Sequence, residues 1–320
     1  MGRMASSTHP SYVWWRGQQT AWEDATVHVT DLGWSTVGAV FEGIRGYWDD
    51  RSEQLYVFRL DEHLERLVSS CRLVRLPLRY SAAELKEATL ELLRANDSRE
   101  DTYIRPMVYL ADTSGKRGGE IEQNAEVLIN THPMSSHLLS GLEQKVRVSS
   151  WTRISDNVMP PRAKNFSNYR NGQLATMEAR LDGYDSAVML NDRRQVSEMP
   201  GACLMMVRNG QLITPDSRQS ILESITRDAL IRLAREELGL EVIERDVDRT
   251  ELYVVDEMFS CGTAAEITPI VSVDHYQVGE GVKGPFTTRL EALFHDVLRG
   301  REPRYDHWRT PVHAAVPVGV

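Results

Sequence analysis

The sequence predicts an α+β fold in two parts, on three observations. Strand-like and helix-like stretches are interleaved along the first part of the chain, as where LYVFRL (55–60) is followed by Leu64, Leu67, Val68 and Cys71 at helical spacing. A polar stretch, HPMSSHLLSGLEQ (132–144), then interrupts the pattern. A second set of strands and helices follows, and 320 residues are enough for two domains.

Taken in order, ATVHVT (25–30) alternates and reads as a strand, as does LYVFRL. Asp61 reads as the N-cap of the next helix. Ser81 and Glu84 form a capping-box pattern ahead of Leu85, Ala88, Leu92 and Leu93. TYIRPMVYL (102–110) and AEVLIN (125–130) read as strands on either side of the Gly-rich DTSGKRGGE. Beyond the polar stretch come the strand KVRVSSW (145–151), a helix over 168–181 closed by Gly183, and a meander of SAVMLN, RQVSE, CLMMV and QLITP. Asn209-Gly210 within it is a strong hairpin signal. Ser224 caps a helix over 225–238 that Gly239 ends. EVIERDV reads as a strand, ELYVV as a short helix, MFSCGTAAEITP as strand and turn, and a last helix opens at Pro285 with Phe286, Leu290, Leu293, Phe294 and Val297 on its apolar face. The tail TPVHAAVPVGV is expected to be flexible.

A net charge of −9 argues against nucleic acid or an anionic membrane as the main partner. No apolar run is long enough to predict a transmembrane helix, and the start lacks the apolar centre of a signal peptide. Gly2 with Ser6 matches the loose myristoylation pattern, which chance also explains. Cys71, Cys203 and Cys261 are widely spaced, with no metal-ligand or disulfide pattern, so buried thiols in a reducing cytoplasm are expected.

Lysine is rare here. Of 37 basic residues only Lys86, Lys116, Lys145, Lys164 and Lys283 are lysine. Four read as surface residues. Lys164 follows Pro160-Pro161 and precedes the polar run Asn165–Tyr169, a setting that suits an amine serving as nucleophile towards a carbonyl, with a surface lysine as the alternative. Two segments suit an anion: the helix start at Ile225 and Thr226, where ordinary capping is the alternative, and the Gly262-Thr263-Ala264 turn. Arg66 offers a charged fork, or a surface ion pair. Glu198 could partner a pyridinium nitrogen, or be a turn residue only. An amine, a carboxylate and two anion cradles together read as a pyridoxal 5'-phosphate site.

FEGIR (41–45), HLERL (63–67), YIRP (103–106), AK with NYRN (163–171), SITRDAL (224–230) and CGTAAEITP (261–269) resemble the fold-type IV aminotransferases, and within them the branched-chain amino acid aminotransferases. The resemblance runs from Trp14 to Leu298. It implies a small α/β domain over 1–137, a linker over 138–147 and a larger barrel-like, cofactor-binding domain over 148–320, in a homodimer. It implies that Lys164 forms the Schiff base and shuttles the proton, that Glu198 holds the pyridine nitrogen and that Tyr169 holds the phenolic oxygen. Arg66, Ile225, Thr226 and Thr263 are expected on the phosphate, with Phe41, Gly43, Arg45, Tyr103 and Arg105 around the substrate. A substrate carboxylate is expected at the amides of Thr263 and Ala264, and no metal is implied.

Departures from the family pattern cluster at the substrate positions. Ser35-Thr36-Val37 stand where His-Tyr-Gly is usual, Met134 and His137 where Trp and Tyr are, and Met199 where Gly follows the glutamate. The expected activity is amino transfer between a branched-chain or other aliphatic amino acid and a 2-oxo acid, with glutamate and 2-oxoglutarate as partners. An (R)-amine or D-amino acid transaminase, an aminodeoxychorismate-type lyase and a non-catalytic phosphate-ligand binding module are the alternatives.

Overall fold

The computed structural model describes residues 9–111 and 124–313. The Gly2/Ser6 pattern, the Gly-rich segment with Lys116 and the end of the tail lie outside them. By internal contacts the chain divides into one unit of residues up to Ser135 together with those from Leu298 on, and a second unit, Ser136–Val297.

In the first unit, β1 (Tyr12–Trp15), β2 (Gln18–Ala21), α1 (Leu32–Val37), β3 (Val40–Phe41), β4 (Ile44–Asp49) and β5 (Gln54–Phe58) lead into α2 (Leu60–Leu73) and α3 (Ala82–Ala95). The long strands β6 (Thr102–Ala111) and β7 (Asn124–Pro133) follow and pair antiparallel along their length. Residues alternate between core and opposite face in β6. Ile104 and Val108 pack with Ile44, Leu55 and Val57 and with Leu64, Leu67, Leu85 and Leu93 of the two helices. Tyr103, Arg105 and Met107 therefore stand on the other face. Arg45 is registered against Tyr103, and Phe41 against Met107.

In the second unit, β8 (Gln144–Thr152), α4 (Phe166–Leu181), β9 (Ser186–Leu190), β10 (Cys203–Arg208), β11 (Gln211–Thr214), α5 (Ile225–Glu236), β12 (Val242–Glu244), β13 (Glu257–Gly262), β14 (Glu266–Val273), β15 (Tyr276–Gln277) and α6 (Pro285–Leu298) follow. The strand order is β12-β11-β10-β13-β14-β8-β9, with β15 on β14. Three of its pairings are parallel, β11–β12, β14–β8 and β8–β9. Beyond α6 the chain returns to the first sheet as β16 (Arg309–Pro311), antiparallel to β5.

Local signals settle several elements. Ser81 accepts from Glu84 N–H while the Glu84 carboxylate bonds the Ser81 N–H, completing the capping box. Asn209 and Gly210 both have positive φ, 52° and 77°, as a two-residue hairpin turn requires. All three cysteines are buried and free, and burial pushes the Cys71 thiol up to about 12.

Other expectations are corrected. Residues 25–28 are not a strand, because Val27 and Val29 are 46% and 71% exposed and the alternation has no core to face. Asp61 is not the cap: Arg59, at φ 47°, precedes a helix that already starts at Leu60, so Asp61 lies in its first turn and pairs with Lys86. RQVSE makes only isolated bridges, since Arg194 turns to φ 64° and Val196 gives its N–H to Val247. Of the tail, Thr310 and Pro311 are strand and Val312 is 1% exposed. The helix predicted from 168 begins at Phe166, where the Asn165 side chain accepts from Ser167 N–H.

Gly172 decides how closely α4 approaches the chain just after Glu198. A Cβ there would lie 2.8 Å from the carbonyl oxygen of Pro200. Gly172→Ala is expected to cost about 1–3 kcal/mol by overpacking, read as a lower urea midpoint at unchanged slope.

Candidate active site

Lys164 lies in the short loop before α4, and its Nζ donates to the Tyr169 hydroxyl at 2.7 Å. Asn168, 1% exposed, fixes that loop by donating from Nδ2 to the carbonyls of Pro160 and Ala163, both at 3.1 Å. The amine is thus set by a helix turn and a folded-back side chain rather than left on a free loop.

Glu198 is 5% exposed and fully engaged. Its Oε1 accepts from Arg153 Nε at 2.9 Å and Nη2 at 2.7 Å, and its Oε2 from Leu222 N–H at 3.1 Å. Arg153 Nη1 continues to the carbonyl of Asn168 at 3.4 Å, next to Tyr169. Two residues beyond Leu222, the Ser224 hydroxyl accepts from Arg227 N–H and caps α5, which Ile225 and Thr226 open. Ordinary capping therefore uses the Ser224 hydroxyl, and Thr226, 4% exposed, supplies the other hydroxyl of that helix start. The turn Thr263–Ala265 joins β13 to β14, and a Cβ on Gly262 would lie 3.5 Å from the Gly201 carbonyl. One unit thus brings Lys164, Tyr169, Glu198, the α5 start and the Thr263–Ala264 turn onto connected segments.

The turn ends on a strained residue. Glu266 has φ 43°, a conformation costing an L-residue about 1–2 kcal/mol, and is fully buried. Its carboxylate accepts from Ser136 Oγ and from the N–H of His137, each at 2.8 Å.

The remaining predicted residues belong to the first unit. Phe41, Arg45, Tyr103 and Arg105 share the sheet face away from the helices. Gly43 lies beneath Tyr103, whose hydroxyl would collide with any Cβ there. Arg45 donates to the Met134 carbonyl at 2.6 Å, and Arg105 to Asn130 Oδ1 at 3.4 Å. Arg66, on α2, grips Glu42 with Nε and Nη2, both at 2.7 Å, and His63 Nδ1 meets Glu42 Oε2 at 2.8 Å. Burial by itself would raise the Glu42 carboxyl, but the Arg66 guanidinium and His63 together hold it far below the usual carboxylate range. Of the departures, Ser35 and Thr36 bond back to carbonyls of Asp31 and Leu32, and Met199 is buried.

Sequence reading missed Arg153, Asn168, Glu42 and His63. Glu42 stands inside the quoted FEGIR and His63 inside HLERL, so a search for a buried partner of Arg66 could have found them. Nothing in the sequence marks Arg153 as the partner of a residue 45 positions away.

The donor set fits pyridoxal 5'-phosphate: an amine for its aldehyde, a phenol beside the amine, a buried carboxylate for the ring nitrogen, and a helix start with a hydroxyl for the phosphate. Comparison with known proteins agrees. The model of the class IV amino-transferases matches residues 39–273, and the chain belongs to that family. It is a pyridoxal phosphate-dependent transaminase of fold type IV. It is 39% identical to a probable branched-chain-amino-acid aminotransferase of Aquifex aeolicus, over 97% of this chain and 99% of that one. The branched-chain amino acid aminotransferase of Thermobaculum terrenum in its PLP form superposes with a TM-score of 0.93 at 48% identity, covering 96% of this chain and 100% of that one. The branched-chain aminotransferase of Thermoproteus uzoniensis with norvaline gives 0.89 at 39% identity, covering 95% and 100%.

Removing one partner of a buried ion pair leaves the other charge uncompensated. Arg153→Met is expected to destabilise the cofactor-free protein by about 3 kcal/mol, and adding Glu198→Gln to recover part of that loss, both measured by urea unfolding. Glu42→Ala is expected to cost a similar amount, about 3 kcal/mol, in the same assay by removing the carboxylate that pairs with Arg66 and His63.

Proposed function

We propose that the chain transfers the amino group of branched-chain and other aliphatic L-amino acids to 2-oxoglutarate, forming the corresponding 2-oxo acid and L-glutamate. The observation that carries this reading is the 2.7 Å contact of Lys164 Nζ with the Tyr169 hydroxyl, in the same unit as the paired Glu198. The names of the relatives support the branched-chain substrate. A homodimer and a cytoplasmic setting complete the reading, carried over from the family resemblance. Among the described residues no helix is long and apolar enough to cross a membrane.

When bound, pyridoxal 5'-phosphate supplies an aldehyde for the amino group and a ring that withdraws electrons from the substrate Cα. The chain supplies the rest. Lys164 takes the proton from the substrate Cα and returns it on the other side of the exchange. Tyr169, whose hydroxyl accepts from that amine, orients it and would hold the phenolic oxygen of the ring. Glu198, paired with Arg153, would hold the ring nitrogen. Arg66, Ile225, Thr226 and Thr263 would hold the phosphate. The amides of Thr263 and Ala264 receive the substrate carboxylate, and Phe41, Arg45, Tyr103 and Arg105 bound the side chain.

A second reading, an (R)-amine or D-amino acid transaminase, draws on one observation. Ser35 and Thr36 turn their hydroxyls back onto their own helix, where the family usually offers aromatic walls. Half-reactions with L-leucine, L-glutamate, D-alanine and (R)-1-phenylethylamine separate the two. Reaction with both L-amino acids and none with the (R)-amine is expected, and the reverse pattern would refute the first reading. Lys164→Ala should lower the L-leucine half-reaction more than about 100-fold, and Tyr169→Phe about tenfold, in stopped-flow measurements.

A further inference from the structure

The C-terminal end of the Thr263–Ala265 turn is gripped by one side chain, His137. Its Nδ1 lies 3.2 Å from Glu266 Oε2, on the C-terminal flank. Its Nε2 lies 2.9 Å from the Ala265 carbonyl oxygen and 3.1 Å from Thr268 Oγ1. Thr268 Oγ1 donates to the same Ala265 carbonyl at 2.8 Å. The backbone N–H of His137 and the Ser136 hydroxyl hold the Glu266 carboxylate from the same side. At the other end of the turn, Gly262 is registered against Glu266 across the hairpin. With Gly262 paired at one end of the turn and the Ala265 carbonyl and Glu266 held at the other, the peptide planes between Gly262 and Ala265 have little freedom to rotate.

We propose that His137 is a positioning residue that sets specificity for carboxylate-bearing substrates. By clamping Ala265 and Glu266 it fixes the direction of the Thr263 and Ala264 amides, and so the strength with which they bind a substrate carboxylate. The inference rests on the proposed function, in which those amides receive that group. Two features set it apart from general support of the fold. The imidazole spends both nitrogens on the turn, and its side chain is 23% exposed, so it is not a core-packing group. The preorganised amides gain their advantage only when an anion is present, because donors held in place need no reorganisation as the charge arrives.

The test uses the full-length protein loaded with pyridoxal 5'-phosphate and the variants His137→Ala and His137→Gln. Binding of 4-methylpentanoate, a carboxylate with no amino group to transfer, is measured by calorimetry beside binding of 3-methylbutylamine, which has the same carbon skeleton as leucine without its carboxylate. His137→Ala is expected to raise the Kd for 4-methylpentanoate and the KM for L-leucine about tenfold, as loss of a hydrogen bond serving a charged ligand does. The kcat for L-leucine and the Kd for 3-methylbutylamine should stay within about twofold. His137→Gln, which can keep one of the two contacts, should recover part of the carboxylate affinity, and it carries the test if the alanine variant does not fold. Unchanged carboxylate affinity in both variants would overturn the inference, and so would equal loss of affinity for carboxylate and amine. Wild-type protein that binds 4-methylpentanoate but leaves L-leucine unreacted would refute the proposed function, while the response of the variants would still decide the role of His137.

Discussion

One buried carboxylate, Glu198, organises the second unit. An ionised group this far from water is tolerated only with close partners, and here they come from two different parts of the chain. Arg153, just past the end of β8, supplies two N–H groups, and Leu222, just ahead of α5, supplies a third. Arg153 reaches on to the Asn168 carbonyl, so the helix that carries Tyr169 is tied into the same network. Satisfying one charge therefore ties together the helix that follows the lysine loop, the start of α5 and Glu198 itself. The requirement that stabilises this part of the fold also sets the frame of the proposed site.

The first unit uses the same solution with different partners. Glu42 is completely buried and is answered by Arg66 and His63, one helical turn apart on α2. That pairing fixes the direction of the Arg66 guanidinium. The two-residue period of β6 then does the sorting. Ile104 and Val108 go to the core, while Tyr103 and Arg105 are left on the far face, opposite Arg45 on the neighbouring strand. Core and opposite face are alternate residues of one strand, so neither can be shifted in register without the other.

Much of this was legible in the sequence wherever the deciding interaction is local. Ser81 with Glu84, Asn209 with Gly210, and Ser224 with Arg227 each act over four residues or fewer, and each stands as read. The helix after the lysine loop was read two residues short, because Asn165 rather than a later residue takes the cap. Misreadings arose where pattern and burial part company. ATVHVT alternates perfectly well but has no sheet to join, whereas Thr310 and Pro311, at the start of the tail expected to be flexible, pair with β5 in the first sheet. Period is a statement about faces, and it becomes a strand only when another strand offers hydrogen bonds.

By itself the sequence determined the chemical inventory and the local frames: a lysine before a capped helix, a glutamate before a Pro-Gly turn, a helix start rich in hydroxyls and a tight turn after a strand. These follow from residue identity and from interactions within a few positions. Only the tertiary structure decided how each charged group is answered: Arg153 for Glu198, Glu42 for Arg66, and His137 for a turn 128 residues further along. The physical reason is that a buried charge accepts whichever donors packing delivers to it. Packing is set by the whole fold, and no spacing along the chain records it.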